Sequence, residues 1–393
     1  MEQSGFAVEA RKLKRIIILV LVILIGLVII STLAFLAFYH SKRAANVQFE
    51  NLSTIRAMRV DYLDEEEDRG DVTTLEKYMQ QASVNLVAVG AGRADWTYFP
   101  WHGYPTRWSD DVKASGEDYL LEDSTRFGKW ANVSAVVDVL APLYIQAHPQ
   151  SAAVSWLGVP SKDLVGTMEM VDGQFGQELL SMMDEIATYY PVNSITLTEL
   201  VYYTDGYGES DKTAYMAFSG RSDWPRTLDG RINIDDPSIG VWRTYEIGRF
   251  LEKAAGIVHK DGRQLFVETH ISVDPSGHVR VENGTDFNQL LEHADRLVVQ
   301  GSSDPAERSQ AAMNAIKQYL ARYQKNRIIT SLGLWSQDYS LGTPMGQMSA
   351  ISVADFQSEL QEYGGDLWIT PSFLMTTADW QALTNFWASQ PKK

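Results

Sequence analysis

The sequence contains no cysteine, which excludes a disulfide framework and a thiolate zinc site. Its seven histidines are scattered and form neither H-x-H nor H-E-x-x-H, so no metal centre is expected. No G-x-G-x-x-G comes after the first apolar run and no Walker sequence occurs, which argues against a nucleotide-binding sheet. The G-x-S-x-G elbow of serine hydrolases is missing too. No cofactor is expected. Positive charge is the minority sign, 34 Lys and Arg against 50 Asp and Glu, for a net charge of −16. With no basic stripe beyond the N-terminal segment, nucleic acid is excluded as a partner.

The most distinctive segment is an apolar run near the start. Residues Ile16–Phe38, "IIILVLVILIGLVIISTLAFLAF", carry no charge and are long enough to span about 30 Å of hydrocarbon as a helix. The run exceeds the apolar region of a secretory signal and lacks a convincing cleavage site, so an uncleaved signal anchor is expected. Arg11, Lys12, Lys14 and Arg15 precede it, which favours a cytoplasmic N-terminus. The expected division is a short cytoplasmic tail (1–15), a transmembrane anchor (16–38), a polar tether (39–55) and one extracytoplasmic domain (56–393).

That domain alternates short apolar, β-branched runs with helical stretches. The expected strands are "AMRVDYL" (Ala57–Leu63), "VNLVAVG" (Val84–Gly90), "SAAVSWLGV" (Ser151–Val159), "SITL" (Ser194–Leu197), "QLFVETHISV" (Gln264–Val273), "RLVVQG" (Arg296–Gly301), "RIITSLGLW" (Arg327–Trp335) and "DLWITPSFL" (Asp366–Leu374). "VVDVLAPLYIQA" (Val136–Ala147) reads as a helix that Asp138 opens as a cap. Eight such units predict an α/β fold, a closed (β/α)8 barrel.

Four segments, in order, resemble a known group. "RAMRVDYLD" is similar to the "RA-x-W-V-x-Y-L" opening of bacterial glycoside-hydrolase-like barrel proteins, and "ASVNLVAVGAGRADWTYFPW" to their "G-x-N-x-V-x-x-Q-V-R-x-x-G-D-A-x-Y". "VVDVLAPLYIQAHPQSAAVSWLGVP" resembles "DPLAxxIxxAHxxGIxVHAWxNP", and the stretch from Gly240 to Val273 resembles "WRRxNVxxLVxxLxxxIKxxKPxVxFGISP". The resemblance covers roughly residues 56–375. It implies a (β/α)8 barrel acting on peptidoglycan or exopolysaccharide. It also implies two departures. Where the pattern ends its fourth strand with "G-I-x-F-D-D-Y", Thr198 and Glu199 stand at the paired aspartates, and Leu157-Gly158 replace the asparagine after Trp156.

Glycoside cleavage needs two carboxyl groups, and a barrel gathers strand ends at one mouth. Glu199, after the fourth strand, and Glu268, near the end of the fifth, are the expected catalytic pair; Asp205 in "TDGYG" is the reserve acid. The bland reading of Glu199 is a salt bridge to Arg243. Trp101, Trp156, Tyr202, Tyr203, Tyr207, Trp335 and Trp368 fall at strand ends or in the loops beyond them, where rings stack on sugars. Trp101 and Trp156 lead this group. His270 shares the strand face of Glu268 and is a further sugar contact. The expected protein is a membrane-anchored glycoside hydrolase facing outward, with a polysaccharide as substrate. The alternative is an inactive glycan-binding barrel, with a polysaccharide synthesis or export complex as partner.

Overall fold

The computed structural model describes residues 52, 54–61, 72–202, 204–273, 279–280, 286–300, 310–323, 325–335 and 350–390. The expected anchor at 16–38 lies outside them, as does Tyr203. Among the described residues no helix is long and apolar enough to cross a membrane.

Eight parallel strands close into a barrel: β1 Arg56–Val60, β2 Leu86–Arg93, β3 Asn132–Asp138, β4 Ser194–Thr198, β5 Gln264–His270, β6 Arg296–Gln300, β7 Ile328–Gly333 and β8 Leu367–Thr370. Closure is made by β1 lying between β8, where Ala57 pairs with Trp368, and β2, where Met58 pairs with Val87. Between successive strands run α1 Val72–Gln81, α2 Tyr119–Phe127, α3 Gln174–Tyr189, α4 Pro237–Lys260, α5 Phe287–His293, α6 Gln310–Leu320 and α7 Val353–Tyr363, and α8 Thr377–Ser389 comes after the last.

A strand's period of two decides what fills the cylinder. On β4, Ile195 and Leu197 point outward and join the main core under the helices. Ser194, Thr196 and Thr198 alternate with them, and Thr196 meets Ser134 of β3 at 2.7 Å between buried hydroxyls. Ala57, Leu86, Ala88, Val136, Phe266, Val298, Ile329 and Trp368 form a separate buried cluster that plugs the barrel.

The third strand corrects the sequence reading. Asn132–Asp138 is a strand, buried along nearly its whole length, where the sequence pattern predicts helix from Val136 onward. Its valines occupy a two-sided buried position that suits β-branched residues. Helix begins only at Pro142, whose fixed φ fits the first turn. The expected strand at Ser151–Val159 instead supplies Ala152–Val154, one arm of an antiparallel hairpin with Pro160–Val165, inserted between β3 and α3. The count of eight survives, with a different third member.

A second insertion lies between β4 and α4. It holds the loop from Glu199, a helix at Glu209–Ser219 and a turn closed by the Arg226–Ile232 bridge. Both insertions leave from C-terminal strand ends, so both belong to the face where barrel sites are built.

Candidate active site

Counting in twos along each strand brings one set of side chains to the mouth. Arg59 comes two after Ala57 on β1, Asp138 two after Val136 on β3, Thr198 two after Thr196 on β4, and Glu268 two after Phe266 on β5. Asp138 and Thr198 are register partners, and the Thr198 hydroxyl donates to Asp138 Oδ1. Arg59 links three strands. Its Nε donates to Asp61 Oδ1 at 2.7 Å, Nη2 lies 3.9 Å from Asp138 Oδ1, and Nη1 lies 3.8 Å from Glu268 Oε2.

The charges here are unequal in number. Asp61, Asp138, Glu199 and Glu268 share the field of Arg59. Burial works against a charged Arg59, but Asp61, Asp138 and Glu268 outweigh it and hold the guanidinium protonated. Glu268 is 6% exposed. Burial first, then the negative charges of Glu199, Asp138 and Asp61, push its carboxyl up to about 8 despite Arg59. A buried carboxyl of this kind keeps its proton at neutral pH and can donate it.

Glu199 stands just past the end of β4 with φ +62, a left-handed conformation uncommon for a residue with a side chain. Its side chain reaches solvent, yet the walls of the mouth crowd it. Loss of hydration and the charge of Asp138 raise its pKa, with Arg59 opposing. Glu199, at the end of β4, therefore bears on Glu268 of the neighbouring β5, and both lie in the field of Arg59. The alternative reading, a Glu199–Arg243 salt bridge, is not formed: Arg243 is occupied with loop carbonyls. Asp205 belongs to that loop, where its Oδ2 accepts from Thr204 Oγ1 at 3.2 Å.

The aromatic expectations divide. Trp101 is 1% exposed, its ring 4.0 Å from that of Tyr104 and its carbonyl accepting from Trp108 Nε1. It is a core residue, because the aromatic loop after β2 folds on itself. Trp368 lies mid-strand on β8 with its ring in the barrel plug, and Tyr202 and Tyr207 are buried beside Arg243. These four offer no open ring face. Trp156 is half-buried on the β3 hairpin, its amide bonded to the Thr204 carbonyl and its ring 5.7 Å from the Arg231 guanidinium. Trp335, also half-buried, packs over Gly333 so closely that a Cβ there would fall 2.6 Å from its ring. His270 is half-buried two residues beyond Glu268, and burial lowers its pKa, leaving it neutral at neutral pH.

Sequence reasoning missed Arg59 and Asp61 and gave Asp138 the wrong surroundings. The signal for Arg59 was its parity with Ala57 in a buried strand. The family pattern carries tryptophan at that position. Among the described residues no group of three or more His, Cys, Asp or Glu is arranged to hold a metal ion.

No protein-family profile matches this sequence, and no curated protein matches it. Solved structures do. The PgaB (BpsB) glycoside hydrolase domain from Bordetella bronchiseptica superimposes with a TM-score of 0.60 over 86% of this chain and 100% of that one, at 14% identity. The fold is that of a glycoside-hydrolase-like (β/α)8 barrel. The cold-adapted β-galactosidase from Rahnella sp. R3 gives a TM-score of 0.57 at 14% identity, covering 88% of this chain and 57% of its own. The catalytic domain of β-amylase from Paenibacillus polymyxa gives 0.54 at 12% identity, covering 86% and 99%. This (β/α)8 barrel thus keeps the eight-strand frame of those enzymes while sharing few of their residues.

Proposed function

We propose that the chain is a membrane-anchored glycoside hydrolase that cleaves a cell-surface polysaccharide outside the cytoplasm. The observation that carries this reading is Glu268: a buried carboxyl at a barrel mouth, held protonated to about pH 8, within the field of a second acid on the neighbouring strand. Glu268 protonates the leaving glycosidic oxygen. Glu199, more open to solvent, supplies the carboxylate that activates water or attacks the anomeric carbon. Asp138, fixed by Thr198 and facing Arg59, steadies positive charge developing on the sugar. Trp156, Trp335 and His270 are the sugar contacts with accessible surface. The glycoside hydrolase activity named for the PgaB domain supports the reaction class. The apolar run at 16–38 would hold the domain near polymer emerging at the membrane, raising local concentration.

The test is release of reducing ends from a panel of exopolysaccharides and peptidoglycan by the full-length protein. Cleavage lost in both Glu268→Gln and Glu199→Gln supports the reading; cleavage retained in either removes that acid from the mechanism.

One observation favours a second reading. Thr198 ties up Asp138, and Arg59 approaches both Asp138 and Glu268, as in a structural ion network. An inactive glycan-binding barrel, serving a polysaccharide synthesis complex, would show binding without cleavage.

A further inference from the structure

Arg243, on α4, is 1% exposed, and nothing in the proposed chemistry uses it. Its hydrogen bonds all run to one loop. Nη1 donates to the Tyr202 carbonyl at 2.5 Å, and Nη2 donates to those of Asp205 at 2.5 Å and Gly206 at 3.5 Å. The guanidinium carbon lies 4.5 Å from the centre of the Tyr207 ring, stacked as a cation on an aromatic face. Asp211, fully buried and accepting from the Met168 amide at 2.9 Å, lies in the field of Arg243, which opposes the upward pull of burial on its carboxyl.

This loop is the one that leaves the barrel through Glu199. The Glu199 carbonyl accepts from the Val201 amide at 2.8 Å, so the left-handed residue is joined to the clamp by a two-residue turn. A residue with a side chain holds φ +62 only where its surroundings over-determine it. β4 fixes the chain before Glu199, since Thr198 is buried and bonded to Asp138. Arg243 fixes it afterwards. Gly206 is shaped for this contact: at φ +80, an added Cβ would lie 3.0 Å from Thr167 Oγ1 and 3.4 Å from Arg243 Nη2.

We infer that Arg243 is a positioning residue for Glu199, a planar clamp that locks the β4 loop so that the Glu199 carboxyl faces Asp138, Arg59 and Glu268. The inference rests on the proposed role of Glu199, and its test does not depend on that role alone. The guanidinium fork spans carbonyls three residues apart, whereas a lysine ammonium is a single point. Arg243→Lys retains the positive charge beside Asp211 and loses the span.

The experiment tracks Glu199 itself, through carbon-13 titration of labelled glutamate side chains in full-length protein, alongside kinetics on a cleaved polymer. In Arg243→Lys the Glu199 titration moves from its raised position toward the ordinary carboxylate range, and Glu268, relieved of part of the Glu199 charge but still buried, moves down by less. The same variant lowers kcat by about 10- to 100-fold with KM within about twofold, the cost of a small misplacement of one reacting group. Gly206→Ala, which presses on the clamp from the loop side, reproduces both effects. A folded Arg243→Lys protein with Glu199 titration and kcat unchanged, and only thermal stability reduced, overturns the inference. If wild type cleaves no polymer, the proposed function fails, and the Glu199 titration still decides the role of Arg243.

Discussion

Arg59 Nη1 and Glu268 Oε2 stand 3.8 Å apart across the barrel mouth, near enough to feel one another and too far for a full hydrogen bond. The separation allows Glu268 to be both neighboured by a cation and protonated at neutral pH. A closer bidentate pair would hold the acid ionised and useless as a donor.

Glu268→Gln should lower kcat by about 10²- to 10⁴-fold, the usual worth of a general acid. Wild type should lose activity as pH rises through about 8, the region where Glu268 gives up its proton. A pH–rate profile of residual Glu268→Gln activity should lack that limb.

The same shift affects stability. Glu268 has a folded pKa above its unfolded value, so its contribution is fully present below about pH 4.5 and is lost as pH rises through about 8. Relative to wild type, Glu268→Gln should therefore gain thermal stability between about pH 5 and pH 9, by about 2–4 °C in Tm.

Arg59→Met leaves Asp61, Asp138 and Glu268 without their shared cation. Breaking a largely buried ion network from one side should cost about 3–5 kcal/mol in denaturant unfolding at about pH 7. Since Arg59 opposes the upward shift of Glu268, its loss should move the basic limb of any activity to higher pH.

Thr198→Val preserves shape and removes the hydroxyl that donates to Asp138. The expected loss is about 1–3 kcal/mol of stability, as for a buried acceptor left unpaired. Thr198→Val combined with Asp138→Asn should cost less than the sum of the two single changes, a coupling that a double-mutant cycle measures.

Trp101 and Trp156 should separate packing from binding. Trp101→Ala should cost about 3–5 kcal/mol and leave polymer affinity of the folded fraction unchanged. Trp156→Ala should weaken polymer binding about fivefold, with under about 1 kcal/mol of stability lost.

Much of the frame was legible because it rests on alternation. Ile195 and Leu197, or Val87 and Val89, announce strands buried beneath helices. The third strand was obscured by the helix close behind it. "NVSAVVD" runs into "VLAPLYIQA", and the helical half drew the valines into its own period. That single slip made Asp138 read first as a cap and only second as a site residue, since an acid opening a helix reads as a cap whereas an acid ending a barrel strand reads as chemistry. Arg59 was obscured for another reason: a lone arginine in a short run looks like a surface residue until closure of the sheet shows which face is inside. Trp101 misled because composition cannot tell a loop folded on itself from one open to solvent. Glu199 and Glu268 were legible because each sits at a fixed offset from a strong strand.

The plug formed by Phe266, Val298, Ile329 and Trp368 gives the cylinder a solid floor. Among the described residues nothing passes through the cylinder from end to end. On the proposed function a glycan would therefore meet this floor from the mouth, beside the two inserted connections, rather than thread along the barrel axis.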